Sequence, residues 1–296
     1  MAERVWNFVG HRVTPDELGL IRSVVHQFAG LSREELAATV CELLGWVRPS
    51  GRLKARECRE FLERLEAAGV VMLPAKRIGR PAGARTAVPV TPRGDAQAPV
   101  TGTVADIAPL RIACVTTEAE RLLFRELVGR HHYLGCAVPF GAHLRYLVYA
   151  SRPRAQVVAC AQFSSAAWRM ACRDAWIGWD EATRARRLPW VVNNSRWLIL
   201  PWVRVQNLAS TILAQLARRI GPDWQAAYGV TPVLLETVVD PARFAGTCYR
   251  AANWLVVGTT AGLGRNERTP RRWPRAPKRV LLYPLGRDAV QQLRGR

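Results

Sequence analysis

The chain has 296 residues, 49% of them hydrophobic, which suffices for about two domains with packed cores and argues against wholesale disorder. Its 43 Lys and Arg exceed its 23 Asp and Glu, and the net charge of +20 favours a nucleic-acid partner, because basic groups displace counterions from phosphate backbones. The seven scattered cysteines include no CxxC pair, which argues against a disulfide framework and a cysteine zinc site. Since neither a signal peptide nor a bilayer-spanning apolar stretch is visible, we expect a cytoplasmic protein that does not enter a membrane.

Residues 1–75 are predicted to form a small DNA-binding module. Two capping boxes, Thr14-Pro15-Asp16-Glu17 and Ser32-Arg33-Glu34-Glu35, predict helices that begin after Thr14 and Ser32. A third helix is predicted over about 54–68, and the apolar run 70–74 is typical of a short strand. Three helices followed by a strand favour a winged-helix-like module, with a helical dimerisation module as the alternative.

Basic residues lie at or just before the start of the third predicted helix, where a recognition helix meets the major groove. The candidates for DNA contact are Arg52, Lys54, Arg56 and Arg59.

From 76 to 109 the composition changes to Pro, Gly, Ala, Thr and Val without a helical period, which predicts a basic, flexible linker. Its Gly79-Arg80-Pro81 tripeptide resembles an AT-hook, so Arg77 and Arg80 are candidates for contacts in an A·T-rich minor groove. A plain basic linker explains the same residues.

The second domain is predicted over 110–296. An apolar run at 197–200 is followed by a helix from Arg204 that Gly221-Pro222 is expected to end, because proline cannot continue a helix. The apolar run 233–239 reads as a buried strand, and a further segment leads into 254–258. Strands that alternate with helices in this order imply mostly parallel pairing.

Two motifs in this domain resemble the GNAT acyltransferase superfamily. They are Leu200-Pro201-x-x-Arg204 ahead of the helix, and Tyr249-x-x-x-Asn253-Trp254-x-x-x-Gly258. The resemblance implies an α/β fold with a GNAT-like mixed sheet. Coenzyme A is disfavoured, because Asn207 stands where coenzyme A-binding members carry a glycine and its side chain would crowd the pyrophosphate site.

Longer phrases in the same order resemble the DruA family, which is named for the Druantia anti-phage system and has relatives near transposase-like sequences. The phrases are His132-Tyr133-Leu134-Gly135, Arg173-Asp174-x-Trp176-Ile177-Gly178-Trp179, Asn193-Asn194-Ser195-Arg196-Trp197-Leu198-Ile199-Leu200-Pro201, Leu235-Glu236-Thr237-Val238-Val239-Asp240 and Gly246-Thr247-Cys248-Tyr249-x-Ala251-Ala252-Asn253-Trp254. The resemblance implies a role in anti-phage defence or a mobile element, and other defence proteins such as a helicase are candidate partners.

Three acids are candidate catalytic residues. Glu236 interrupts an apolar strand, and a buried carboxylate needs a partner or a function. It could form a structural ion pair with Arg196, act as a general base, or bind Mg²⁺ or Mn²⁺ together with Asp240 or Asp174.

Arg196, His132 and Tyr133 are the other catalytic candidates. A histidine can transfer protons, and a tyrosine hydroxyl can act as a nucleophile or an acid. The alternative for His132 is a structural role at the end of a helix.

Further residues are predicted to contact DNA. Asn194 is one of them, and it shares one face with the catalytic candidate Arg196, two residues further on, if the segment is extended. Trp176 and Trp179 are candidates for stacking on unpaired bases. The basic contacts predicted in this domain are Arg204, Arg265, Arg268, Arg271 and Arg272.

Together these features predict a DNA-binding protein that processes or modifies DNA. A metal- or tyrosine-dependent nuclease or strand-transferase, and a non-catalytic DNA-binding scaffold that recruits a helicase, are the alternatives.

Overall fold

The structure is a computed structural model, and it describes residues 5–28, 31–49, 53–75, 90–137, 139, 141–167, 170–260 and 276–295. No helix in these ranges is both long and apolar enough to cross a bilayer.

The N-terminal module combines a β-hairpin with three helices. Its elements are β1 (Trp6–Phe8), β2 (His11–Val13), α1 (Pro15–Gln27), α2 (Arg33–Leu43) and α3 (Ala55–Ala67). Both predicted capping boxes are present: the Thr14 hydroxyl accepts the Glu17 N–H at 3.2 Å, and Ser32 forms the equivalent pair with Glu35. The ring of Phe8 stacks on Trp46 at 3.8 Å and packs edge-on against Phe61, which fixes the hairpin to the helices.

The predicted strand at 70–74 is absent. Two backbone groups of this segment bind side chains rather than a neighbouring strand: the Leu73 N–H donates to Glu66 at 3.1 Å, and the Pro74 carbonyl accepts from Arg33 at 2.8 Å. A β-hairpin precedes the three helices and no strand forms over 70–74, so the winged-helix-like arrangement is not confirmed.

The rest of the described chain forms a larger α/β unit. Its elements are β3 (Val100–Gly102), α4 (Val104–Ile107), β4 (Arg111–Cys114), α5 (Glu118–His131), β5 (His143–Ala150), β6 (Gln156–Ser165), α6 (Ala171–Ile177), α7 (Glu181–Arg187), β7 (Val191–Ile199), β8 (Val203–Val205), α8 (Leu208–Tyr228), β9 (Leu234–Val239), α9 (Thr247–Ala251), β10 (Leu255–Thr259), β11 (Arg279–Pro284) and α10 (Ala289–Arg294).

Part of the predicted linker is folded onto this unit. Strand β3 pairs in parallel with β8, and Glu126 of α5 accepts hydrogen bonds from both the backbone and the hydroxyl of Thr91. Arg130 of the same helix binds Asp95 at 2.6 Å. The prediction of a flexible linker up to 109 is therefore wrong over 90–109. The composition of this segment does not show its contacts with α5 and β8, which lie far away in the chain. Residues 76–89 lie outside the described ranges.

Seven strands form one mixed sheet in the order β10-β11-β9-β7-β6-β5-β4. Only β7 and β9 are parallel neighbours, so the expectation of mostly parallel pairing is wrong. Strand β11, although last in the chain, inserts between β9 and β10 and runs antiparallel to both. The expected α/β fold with a GNAT-like mixed sheet is confirmed.

The two faces of the sheet are covered by different helices. On β9, Leu235 belongs to the main core together with Ile212 of α8, whereas Leu234 packs in a second cluster with Ile177 of α6 and Leu293 of α10. The insertion between β6 and β7, which carries α6 and α7, thus closes the second face.

Helix α8 continues past the proline that was expected to end it. It runs to Tyr228 and stops at Gly229, whose φ of 70° suits a C-terminal glycine. Two contacts hold the last two turns: Trp224 is buried in the core, and Asp223 accepts hydrogen bonds from Arg219 at 2.8 Å and Tyr146 at 3.0 Å. Tertiary packing therefore outweighs the helix-breaking tendency of Pro222.

Candidate functional site

A cleft opens where the two parallel strands of the sheet separate. Strands β7 and β9 pair over only three positions, from Val191 with Leu234 to Asn193 with Glu236. Beyond them lies a cavity of about 560 Å³, lined by β7, β9, the end of α5, the start of α8 and the segment 240–249. The β7 edge that faces β9 lacks a partner strand from Asn194 onward. Side chains bind the Asn194 and Arg196 carbonyls, so an extended ligand could pair only with the backbone beyond Arg196.

A hydrogen-bonded tyrosine lies in the wall of this cleft. The Tyr249 hydroxyl donates to Asn194 Oδ1 at 2.6 Å, and the Thr237 hydroxyl donates to the Asn194 carbonyl at 3.0 Å. Burial raises the pKa of Tyr249, so its hydroxyl keeps its proton at neutral pH. Tyr249 therefore presents a fixed, protonated hydroxyl beside the cavity.

Asn194, which is predicted to contact DNA, is part of this wall. It is only 4% exposed, and its amide donates to the carbonyls of Gln162 and Arg196 at 3.2 Å each. A bulge opposite Gln162 leaves Ser195 without a partner in the ladder, so the simple alternation expected for Asn194 and Arg196 fails. Asn194 binds Tyr249 of α9, whereas Arg196 donates to the Gly135 carbonyl at 3.0 Å.

His132 also lines the cavity, in a neutral form. Burial and the nearby Arg196 guanidinium lower the pKa of His132 to about 4. Its Nδ1 accepts the Leu134 N–H at 3.2 Å, which places the proton of the neutral ring on Nε2. Nε2 is then a hydrogen-bond donor at neutral pH, which disfavours a role as general base.

Tyr133 and Asp240 lie at the mouth of the cavity. Burial and the charge of Asp240 raise the pKa of Tyr133, which opposes formation of the phenolate that a tyrosine nucleophile requires. Asp240 accepts the Ala242 N–H at 3.1 Å and lies 3.8 Å from Arg243.

Glu236 does not line the cavity, and its partner is not Arg196. Its carboxylate accepts from Arg173 at 2.9 Å and from the Ala167 N–H at 3.2 Å, and both charged side chains are completely buried. Glu236 therefore joins the sheet to the α6 segment. Its carboxylate does not reach the cleft, which argues against a role there as a general base.

Asp174 belongs to the same buried cluster. It binds Arg173 at 2.7 Å and the Trp179 indole N–H at 3.1 Å, with Arg184 at 3.6 Å. Asp174 and Glu236 thus face the insertion while Asp240 faces the cleft, so the predicted metal set is not assembled. Within the described ranges, no group of three or more acids, histidines or cysteines could hold a metal ion.

The predicted DNA contacts are distributed over separate surfaces. Arg56 and Arg59 are exposed on α3 but pair with Glu60 and Glu34, which reduces their free positive charge, and Lys54 precedes the same helix. Arg204 is exposed on β8. The other predicted basic contacts lie outside the described residues: Arg52, Arg77, Arg80, Arg265, Arg268, Arg271 and Arg272.

Asn207 does not crowd the cleft. It adopts a left-handed conformation, with φ of 58°, which asparagine tolerates better than most residues. Its side chain is exposed and does not line the cavity, whereas Ala209, on the first turn of α8, does. The steric objection to coenzyme A therefore has no support in the geometry.

Tyr249, Thr237, Arg243 and Phe244 were not predicted as site residues. The Tyr249 motif was visible in the sequence, but the separation of β7 from β9 that exposes it depends on strand pairing. Trp176 and Trp179 are partly buried and pack against the cluster under α6, and their stacking on bases stays a prediction.

The strand order, with one parallel pair that opens into a cleft, defines a GNAT-like α/β domain. The family model described as Druantia protein DruA matches residues 69–270, more than half of the chain. The chain therefore belongs to the DruA family. No curated protein matches it.

Several solved structures are similar to this chain. The structure of AtaTR bound with AcCoA is 17% identical over 62% of this chain and 97% of that one, with a TM-score of 0.32. An N-acetyltransferase from Staphylococcus aureus Mu50 is 11% identical over 60% and 99% of the two chains, with a TM-score of 0.35. The KacTA–DNA complex is 13% identical over 62% and 98%, with a TM-score of 0.33.

Proposed function

We propose that this DruA-family chain binds nucleic acid and modifies it by group transfer at the β7/β9 cleft. The observation that carries the proposal is the cavity between the separated strands, with the protonated Tyr249 hydroxyl in its wall. The acids of the nuclease alternative do not meet in one place, so the cleft is the better candidate for chemistry.

The cleft suits an acyl carrier of the coenzyme A class. Beyond Arg196 the edge of β7 has no partner strand and can hydrogen-bond a chain that carries amides. The first turn of α8 has no side-chain cap, so its N–H groups are available to a diphosphate. Ala209 lines the cavity at that turn, where a larger side chain would intrude. Such a carrier, when bound, supplies an activated acyl group.

The protein's own residues then bind and position the reactants. Asn194 Oδ1 positions the Tyr249 hydroxyl, and His132 offers a neutral Nε2–H donor in the same cavity. When the hydroxyl turns away from Asn194, its proton can pass to the leaving group, and the proton that the acceptor loses then restores the tyrosine. The positive charge of the chain attracts the phosphate backbone of the acceptor.

Coenzyme A binding tests the proposed cleft directly. Ala209→Glu introduces a bulky anion at the first turn of α8 and into the cavity, so we expect it to abolish binding of coenzyme A measured by calorimetry. Ala226→Glu, an exposed site near the other end of α8, is the matched control and should bind like the unmodified protein. Absence of binding by the unmodified protein, or equal binding by both variants, would contradict an acyl-carrier site.

A further inference from the structure

Three large apolar side chains are exposed together at the mouth of the cleft. Tyr133 is 38% exposed, Leu134 46% and Phe244 51%, and we call these three residues the mouth patch. The Tyr133 and Phe244 ring centroids are 5.4 Å apart, and both residues line the cavity. An exposed apolar patch with a polar rim at a cavity is typical of a binding surface.

Two hydrogen-bonded turns hold these rings in place. On one side, the Gly135 N–H donates to the His132 carbonyl at 2.7 Å, and the His132 ring stacks on Tyr133 at 5.0 Å. On the other, the N–H groups of Arg243 and Phe244 donate to the Asp240 carbonyl at 3.1 and 2.9 Å. The aromatic faces are thus positioned before any ligand binds, which lowers the entropic cost of stacking.

Positive charge accompanies the aromatic rings. The Arg243 guanidinium lies 5.2 Å from the centre of the Tyr133 ring and is 59% exposed. Arg196 is half-buried behind the turn and, among the described residues, has no acidic partner. Two arginines and one acid, Asp240, lie at the mouth, so its net charge is positive.

Exposed aromatic faces beside arginines are complementary to an unpaired nucleotide, which has a flat π-face and a phosphate. A base inside a duplex cannot reach a cleft, because both of its faces are covered by neighbouring bases. An apolar protein partner would match the rings but would leave the arginines without counter-charges.

We propose that the mouth patch binds an unpaired nucleobase, which stacks on the exposed Phe244 ring beside Tyr133 while Arg243 contacts the adjacent phosphate. This deepens the proposed function, since the stacked nucleotide is the acceptor that enters the cleft.

Variants of Phe244 distinguish stacking from simple apolar contact. Phe244→Leu keeps an apolar side chain but removes the π-face, whereas Phe244→Trp keeps it. Binding of the full-length protein to labelled unpaired DNA and RNA strands, and to a DNA duplex, is measured by fluorescence anisotropy at several salt concentrations. Leu122→Ala, at an exposed position on α5, is the control.

We expect Phe244→Leu to weaken binding of unpaired strands roughly tenfold, with Phe244→Trp and Leu122→Ala close to the unmodified protein. The salt dependence should not change, because the side chain is uncharged, and duplex binding should be unaffected. A strand that lacks its bases should bind the unmodified protein as weakly as a normal strand binds Phe244→Leu.

The proposal is overturned if Phe244→Leu binds unpaired strands within twofold of the unmodified protein, if duplex binding falls equally, or if removal of the bases has no effect. If the unmodified protein does not bind coenzyme A, the proposed acyl-carrier site is wrong, but the base-stacking proposal is unaffected. The two proposals can therefore fail separately. Equal responses of DNA and RNA would show that the sugar is not recognised, and unequal ones would assign the strand type.

Discussion

At the scale of single residues, the strongest constraint is the ion pair of Arg173 and Glu236. Two completely buried charges lose their hydration, and their attraction offsets that loss only because each has further hydrogen-bond partners. Arg173 also donates to the Ala167 carbonyl at 2.7 Å. A carboxylate held in this way maintains structure, which is why the acid that looked most catalytic in the sequence lies away from the cleft.

Removal of one partner should therefore be costly. Arg173→Met leaves the Glu236 carboxylate buried without its cation, and we expect the free energy of unfolding to fall by about 3–5 kcal/mol. The double variant Arg173→Met/Glu236→Leu should recover most of that loss in urea denaturation. If Arg173→Met unfolds at the same urea concentration as the unmodified protein, the pair is not buried as described.

His132 makes stability depend on pH. The pKa of His132 is about 4 in the folded chain and near 6.5 when unfolded, so the unfolded state binds more protons between these values. Stability should consequently fall as pH decreases from about 6.5 to 4. In His132→Gln the decline over this window should be shallower, while the exposed control His26→Gln should follow the unmodified protein. An equally steep decline in His132→Gln would contradict the half-buried, neutral state of the ring.

At the scale of elements, sequence patterns predicted the helices and strands whose bounds depend on neighbouring residues. The capping boxes located the starts of α1 and α2, because each box is completed within four residues. The apolar run over 233–239 identified β9, because a buried strand is recognisable from its own consecutive apolar residues. The short strands β3 and β8, and the continuation of α8 past Pro222, depend on partners far away in the chain and could not be read locally.

Pro222 provides a test of the continuous helix. A proline inside a helix lacks an N–H and lowers helix stability by up to about 3 kcal/mol, so Pro222→Ala should raise the free energy of unfolding by about 1–3 kcal/mol. Thermal unfolding of this variant measures the effect. An unchanged or lower melting temperature would mean that α8 does not continue through this position.

At the scale of the whole molecule, the sequence identified the family and the α/β class, but not the location of the site. The phrases around Tyr249 and Asn194 were recognisable, yet only the sheet order shows that β7 and β9 separate between them. The acids were misleading because the sequence alone does not show whether a buried carboxylate forms an ion pair or binds a metal ion. Its arginine partner, 63 residues away, came from an insertion whose position was unknown.

The central claim is that the cleft of this DruA-family chain transfers a group to nucleic acid. The most direct measurement incubates the full-length protein with acetyl-coenzyme A and an unpaired oligonucleotide, and determines the intact mass of the strand. We predict a strand heavier by one acyl group, with the yield from Tyr249→Phe at least a hundredfold lower because its hydroxyl no longer donates a proton. A strand that is bound but unchanged in mass, or one that is shortened, would contradict the claim.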